Sequence, residues 1–143
     1  MRLPREEREV LEGLPSQLQA LLTDGDPSLE RLFPPAYADD PEAEADYRRL
    51  VGDSLLDAKR AALSELERTA HAERLTEREA ESWLGALESL RLVLGVQLDI
   101  TEESYGAFDP TAPDAPALAL YHWLSWLQEE LVQALAAALP RND

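Results

Sequence analysis

The stretch from Thr76 to Leu98 constrains this chain most. Thr76-Glu77-Arg78-Glu79 sets a hydroxyl and a carboxylate three residues apart. At a helix start that spacing lets each side chain accept a hydrogen bond from the other residue's free backbone N–H. Ala80, Trp83, Leu84, Leu87, Leu90, Val93, Leu94 and Leu98 follow at the spacing of one helix face, and Leu92 and Val96 extend the apolar surface to the other side. A helix that is apolar on several sides is stable only when other elements surround it. The sequence therefore predicts a central helix and, around it, an all-α bundle.

The surrounding elements are signalled in the same way. Pro4 suits the first turn of a helix, and Glu6 and Glu7 face the positive end of its dipole. Val10, Leu11, Leu14, Leu18, Leu21 and Leu22 keep helical phase through Gly13 and Pro15, so one kinked helix or two abutting ones should end at Gly25. Asp26-Pro27 caps a short helix over Ser28 to Phe33, stopped by Pro34-Pro35. Asp40-Pro41 opens a long helix from Glu42 to about Ala70, with a stripe of Tyr47, Leu50, Val51, Leu55, Ala58, Ala62 and Leu66 and a potential break at Gly52-Asp53-Ser54. Residues 99–114 form the longest loop, with a short helix capped by Thr101 as an option, and a final helix runs from Asp114 to Leu139. No alternation of strand type occurs. The expected architecture is a single domain over residues 1–143, built as a bundle of five to seven helices.

Composition narrows the function classes. The 29 acids against 13 Lys and Arg give a net charge of −16, which repels phosphate backbones and anionic membranes alike. The basic residues Arg48, Arg49, Lys59 and Arg60 are interleaved with acids, so neither nucleic acid nor membrane is an expected partner. There is no cysteine, which excludes disulfides, thiol chemistry and Cys-based zinc sites. Met1 to Glu7 lacks the apolar core of a signal peptide, and the uncharged stretch Ala115 to Gln128 is shorter than the ~20 residues that cross a bilayer. A soluble cytoplasmic protein is the expectation.

No set of residues composes an active site. Glu67 and His71 stand four apart on one helical face, but no second His–carboxylate pair completes a metal set, and a solvated surface is the simpler account. Asp26 and Asp40 are explained as caps. No nucleophile elbow and no glycine-rich phosphate loop occurs. The expectation is a non-enzymatic protein without cofactor or metal.

Two features remain. Arg91 lies in the most apolar stretch of the chain, where a buried guanidinium needs a carboxylate partner. Asp39, Asp40 or Asp46 would supply it as a structural ion pair; the functional alternative is an anion or ligand site using Arg91 and Arg31. Trp126 falls off the inner stripe of the last helix, which reads Leu120, Trp123, Leu124, Leu127, Leu131, Leu135 and Ala138. It is either an interface anchor or a surface aromatic covered by the Tyr105–Phe108 loop. Trp126, Tyr105 and Phe108 are the candidate partner contacts. The apolar run Leu131 to Leu139 makes a homodimer through the C-terminal helix a further candidate.

Two segments carry a family resemblance: Arg31-Leu32-Phe33-Pro34-Pro35-Ala36-Tyr37-Ala38-Asp39-Asp40-Pro41-Glu42 continuing to Tyr47-Arg48, and Trp83-Leu84 with Leu90-Arg91-Leu92-Val93-Leu94-Gly95-Val96 and Leu98. They resemble an actinobacterial all-helical family catalogued as a domain of unknown function, also called the actinomycete oxidative-stress regulator family. The resemblance implies a regulator acting by protein contact, with redox-responsive binding to an alternative sigma factor as the family's named role. It further implies that a cysteine pair performs the redox sensing, and these 143 residues contain no cysteine to match it. The functional expectation is a regulatory or adaptor protein whose acidic surface suits a basic partner, such as a sigma factor. A small-ligand or anion-binding helical domain is the alternative.

Overall fold

Capping chemistry sets three of the helix ends in the computed structural model, which describes residues 3–25, 27–29, 32, 39–98 and 115–138. The described elements are α1 (Arg5–Asp24), a 3₁₀ turn (Pro27–Leu29), α2 (Pro41–Thr69), α3 (Glu77–Gln97) and α4 (Ala115–Ala138). No strand occurs among the described residues, and the fold is all-α.

α3 begins as the sequence predicts. Thr76 Oγ1 accepts from the Glu79 N–H at 3.1 Å, and Glu79 Oε1 accepts from the Thr76 N–H at 2.8 Å. Asp40 caps α2 by accepting from the Ala43 N–H at 3.1 Å. At the end of α1, Gly25 adopts a left-handed φ of 65° and returns its N–H to the Leu21 carbonyl, a conformation that costs a residue with Cβ more than glycine.

In α1 and α2 the structure takes the continuous-helix option that the sequence left open. Gly52 does not divide α2, which is one continuous helix. A single glycine costs a helix about 1 kcal/mol, too little to interrupt one capped at its start and packed along its second half. Pro15 does not divide α1 either, although its ring removes the hydrogen bond to the Leu11 carbonyl. Its side chain is fully buried, so it serves as core material. Of the short helix expected over Ser28 to Phe33, the described part is a single 3₁₀ turn, Pro27–Leu29, and the separate residue Leu32; Leu29 and Leu32 both enter the core.

α3 is the central element, packing against α1, α2, α4 and the 3₁₀ turn. The innermost side chains are Leu11 of α1, Leu63 and Leu66 of α2, Trp83 and Leu87 of α3, and Leu124 and Leu127 of α4. Trp83, 1% exposed, donates its indole N–H to Thr69 Oγ1 at 2.6 Å. The Thr69 hydroxyl in turn donates to the Glu65 carbonyl at 2.6 Å. This relay satisfies both buried polar groups and ties the last turn of α2 to α3.

Two arginines fasten the corner between α2 and α3. Arg8 of α1 donates through Nη1 to the carbonyls of Ala70 (3.0 Å) and Ala72 (2.8 Å), and through Nε to Leu3 (3.1 Å). It places a positive charge at the negative end of the α2 dipole. Arg68 bridges Glu65 (2.6 Å) and the capping residue Glu79 (2.9 Å).

The Thr76 backbone N–H, followed by Arg68, holds the Glu79 carboxyl below its ordinary value. A carboxylate depressed in the folded state contributes stability that is present above its unfolded pKa, about 4.3, and lost as pH falls through the folded value. In urea titrations at several pH values, Glu79→Gln should lie furthest below the native protein near neutrality, and the gap should close in acid. A gap independent of pH would remove the ionised carboxylate from this account.

Candidate functional site

With the inner face of α4 committed to the core through Leu124, Leu127 and Leu131, Trp126 cannot reach it at the 100° per residue of a helix. Trp126 is 48% exposed and Val132, further along α4, is 46% exposed. Near Trp126 along the same helix, Glu129 accepts a hydrogen bond from Gln133 at 3.2 Å, and the Tyr121 and His122 rings meet edge to face with centroids 5.7 Å apart. A large aromatic beside carboxylates is the surface expected of an interface core with an acidic rim. On the inner side, the Trp123 indole nitrogen is buried with no hydrogen-bond partner among the described residues.

A second exposed apolar site was missed in the sequence. Leu50 and Leu55, read there as part of an inner stripe, are exposed, Leu50 by 82%. No described side chain of α2 before Leu63 is buried, so only the second half of this helix joins the core. Helical periodicity signals an apolar face but not whether a neighbour extends far enough to cover it.

The Arg91 reading needs correction. Its side chain is 30% exposed and pairs with Glu88 of its own helix at 3.2 Å, not with Asp39, Asp40 or Asp46. Glu88 also accepts from Gln128 of α4 at 2.7 Å, so the arginine sits at the edge of an α3–α4 contact. Asp40 acts as the α2 cap, Asp39 beside it is exposed, and Asp46 pairs with Arg49. Tyr105, Phe108 and Arg31 lie outside the described residues. His71 approaches Glu12 of α1 at 2.6 Å rather than Glu67, and among the described residues no three His, Asp or Glu side chains are grouped to hold a metal ion. No described helix is long and apolar enough to cross a membrane.

Residues 1–135 match the family model described as a domain of unknown function, DUF2017. The chain belongs to this family. Its similarity to proteins called oxidative stress regulator AosR agrees with the resemblance drawn from the two sequence segments. It is 37% identical to the Mycobacterium tuberculosis (strain H37Rv) protein over 128 residues, covering 78% of this chain and 59% of that protein. The Mycobacterium bovis protein of the same name gives the same figures, 37% over 128 residues. The protein called putative oxidative stress regulator AosR in Mycobacterium leprae is 32% identical over 151 residues, covering 94% of this chain and 69% of that protein. The chain thus spans 59% of the length of the M. tuberculosis and M. bovis relatives. No solved structure matches the chain.

Proposed function

We propose that this chain is a non-enzymatic regulatory domain that works by binding a protein, with Trp126 as the anchor of the interface. The observation that carries the reading is an exposed tryptophan on a helix whose inner face is already filled. It joins the regulator names of the relatives and a net charge of −16, which suits a basic partner. An alternative sigma factor of the same cell is the partner to test. With no cysteine in these 143 residues, no thiol of theirs can make the contact redox-dependent.

The test is calorimetric titration of the chain with that sigma factor, using wild type, Trp126→Ala and Leu50→Ser. Trp126→Ala should weaken binding by about 2 kcal/mol or more, roughly thirtyfold. Its thermal unfolding should stay within about 0.5 kcal/mol of wild type, as at other exposed sites. Treating the chain alone with diamide, a thiol-specific oxidant removed before the titration, should leave the affinity unchanged. Equal affinity for wild type and Trp126→Ala would remove Trp126 from the interface; if Leu50→Ser alone weakened binding, the contact would move to α2. No binding by the wild type would end the sigma-factor reading.

A further inference from the structure

A groove of about 360 Å³ opens where the segment before α1, the α2–α3 connection and the last turns of α4 meet. Leu3, Trp83, Leu131 and Leu135 give it an apolar wall, and Arg8 and Arg74 stand at its edge. The Trp83 N–H is committed to Thr69, so the surface this residue turns to the groove is carbon. The volume is within the range of small-molecule sites and holds about a dozen non-hydrogen atoms at the packing of a liquid.

The two arginines differ from most of the other described arginines. Arg5, Arg48, Arg49, Arg68 and Arg91 each face a carboxylate. Arg8 instead donates only to backbone carbonyls, through Nε and Nη1; among the described residues its Nη2 donates to nothing. Those bonds fix the guanidinium in place before any ligand arrives, which lowers the ordering cost of binding. Arg74 makes no hydrogen bond or ion pair with any described residue, although acids outnumber Lys and Arg by 29 to 13. Glu73 and Glu77 also line the groove. They balance the two arginines, so a polyanion finds no excess of positive charge, while a single carboxylate can pair with the guanidinium groups.

We propose that this groove binds an amphipathic monocarboxylate, its head group facing Arg8 and Arg74 and its apolar tail lying along the accessible apolar side chains of Leu75, Ala134 and Leu135. The site is separate from the partner surface, since Trp126 is not in its lining.

Calorimetric titration with octanoate tests this, with 1-octanol as the uncharged probe of similar length. Octanoate should saturate one site, and octanol should bind at least several-fold more weakly. Arg74→Glu, at an exposed position without a partner among the described residues, should melt as the wild type does and bind octanoate roughly tenfold or more weakly. Leu135→Trp, which fills the groove without touching the charges, should reduce binding of both probes. Octanol binding as tightly as octanoate, an unchanged octanoate affinity in Arg74→Glu, or no saturable binding by the wild type would each overturn the proposal.

Discussion

Trp83→Ala should destabilise the protein by about 3–5 kcal/mol, close to the whole stability of a marginal domain. The indole is almost fully enclosed at the centre of the bundle, so its loss leaves a cavity among Leu residues of several helices. The relay adds a polar component that can be measured separately. Thr69→Val keeps the volume but leaves the Trp83 N–H buried without an acceptor, at a cost of about 1–3 kcal/mol. In a Trp83→Phe background that donor is gone, and the same Thr69→Val change should cost much less. Urea unfolding of the four proteins measures the coupling. Additive effects of Thr69→Val and Trp83→Phe would show that the hydrogen bond at 2.6 Å contributes little.

Arg8→Ala should have the second largest effect, about 2–3 kcal/mol from lost charge-assisted hydrogen bonds and an uncapped helix end. Three carbonyls, of Leu3, Ala70 and Ala72, lose their donor together. Arg8→Lys should restore only part of this, because an ammonium cannot present the planar fork that spans separate acceptors. Amide exchange should accelerate most in the last turn of α2 and the following residues, the segment Arg8 holds. An Arg8→Ala protein that melts with the wild type would mean that water replaces the guanidinium at little cost.

Local chemistry made much of the fold legible. Thr76 with Glu79, Asp40 and Gly25 act within four residues of themselves, and a short spacing suffices to read such motifs. The central position of α3 was legible because its apolar residues exceed one face. Non-local facts were not. Arg8 reaches Ala70 across 62 residues, and nothing near Arg8 in sequence announces that acceptor. Arg91 was misjudged because a long side chain in an apolar stretch can run to the edge of the helix and pair three residues back with Glu88. Leu50 fits the periodicity of α2 but lies where the bundle does not cover the helix.

The candidate site was partly legible for the same reason. Trp126 could be placed off the inner stripe by counting at 3.6 residues per turn. The groove could not, since its wall and edge come from three parts of the chain brought together only by folding.

The tryptophans make this protein its own optical probe. Trp83 is sealed at 1% exposure and Trp126 is open at 48%, with Trp123 between them. An indole in an apolar cage emits further to the blue than one in water, and an aqueous quencher such as iodide reaches only the latter. Docking of a partner on α4 should protect the quenchable fraction while the blue emission persists. Unfolding should instead turn the blue emission red and open all the indoles to iodide, so one cuvette can distinguish occupancy from collapse.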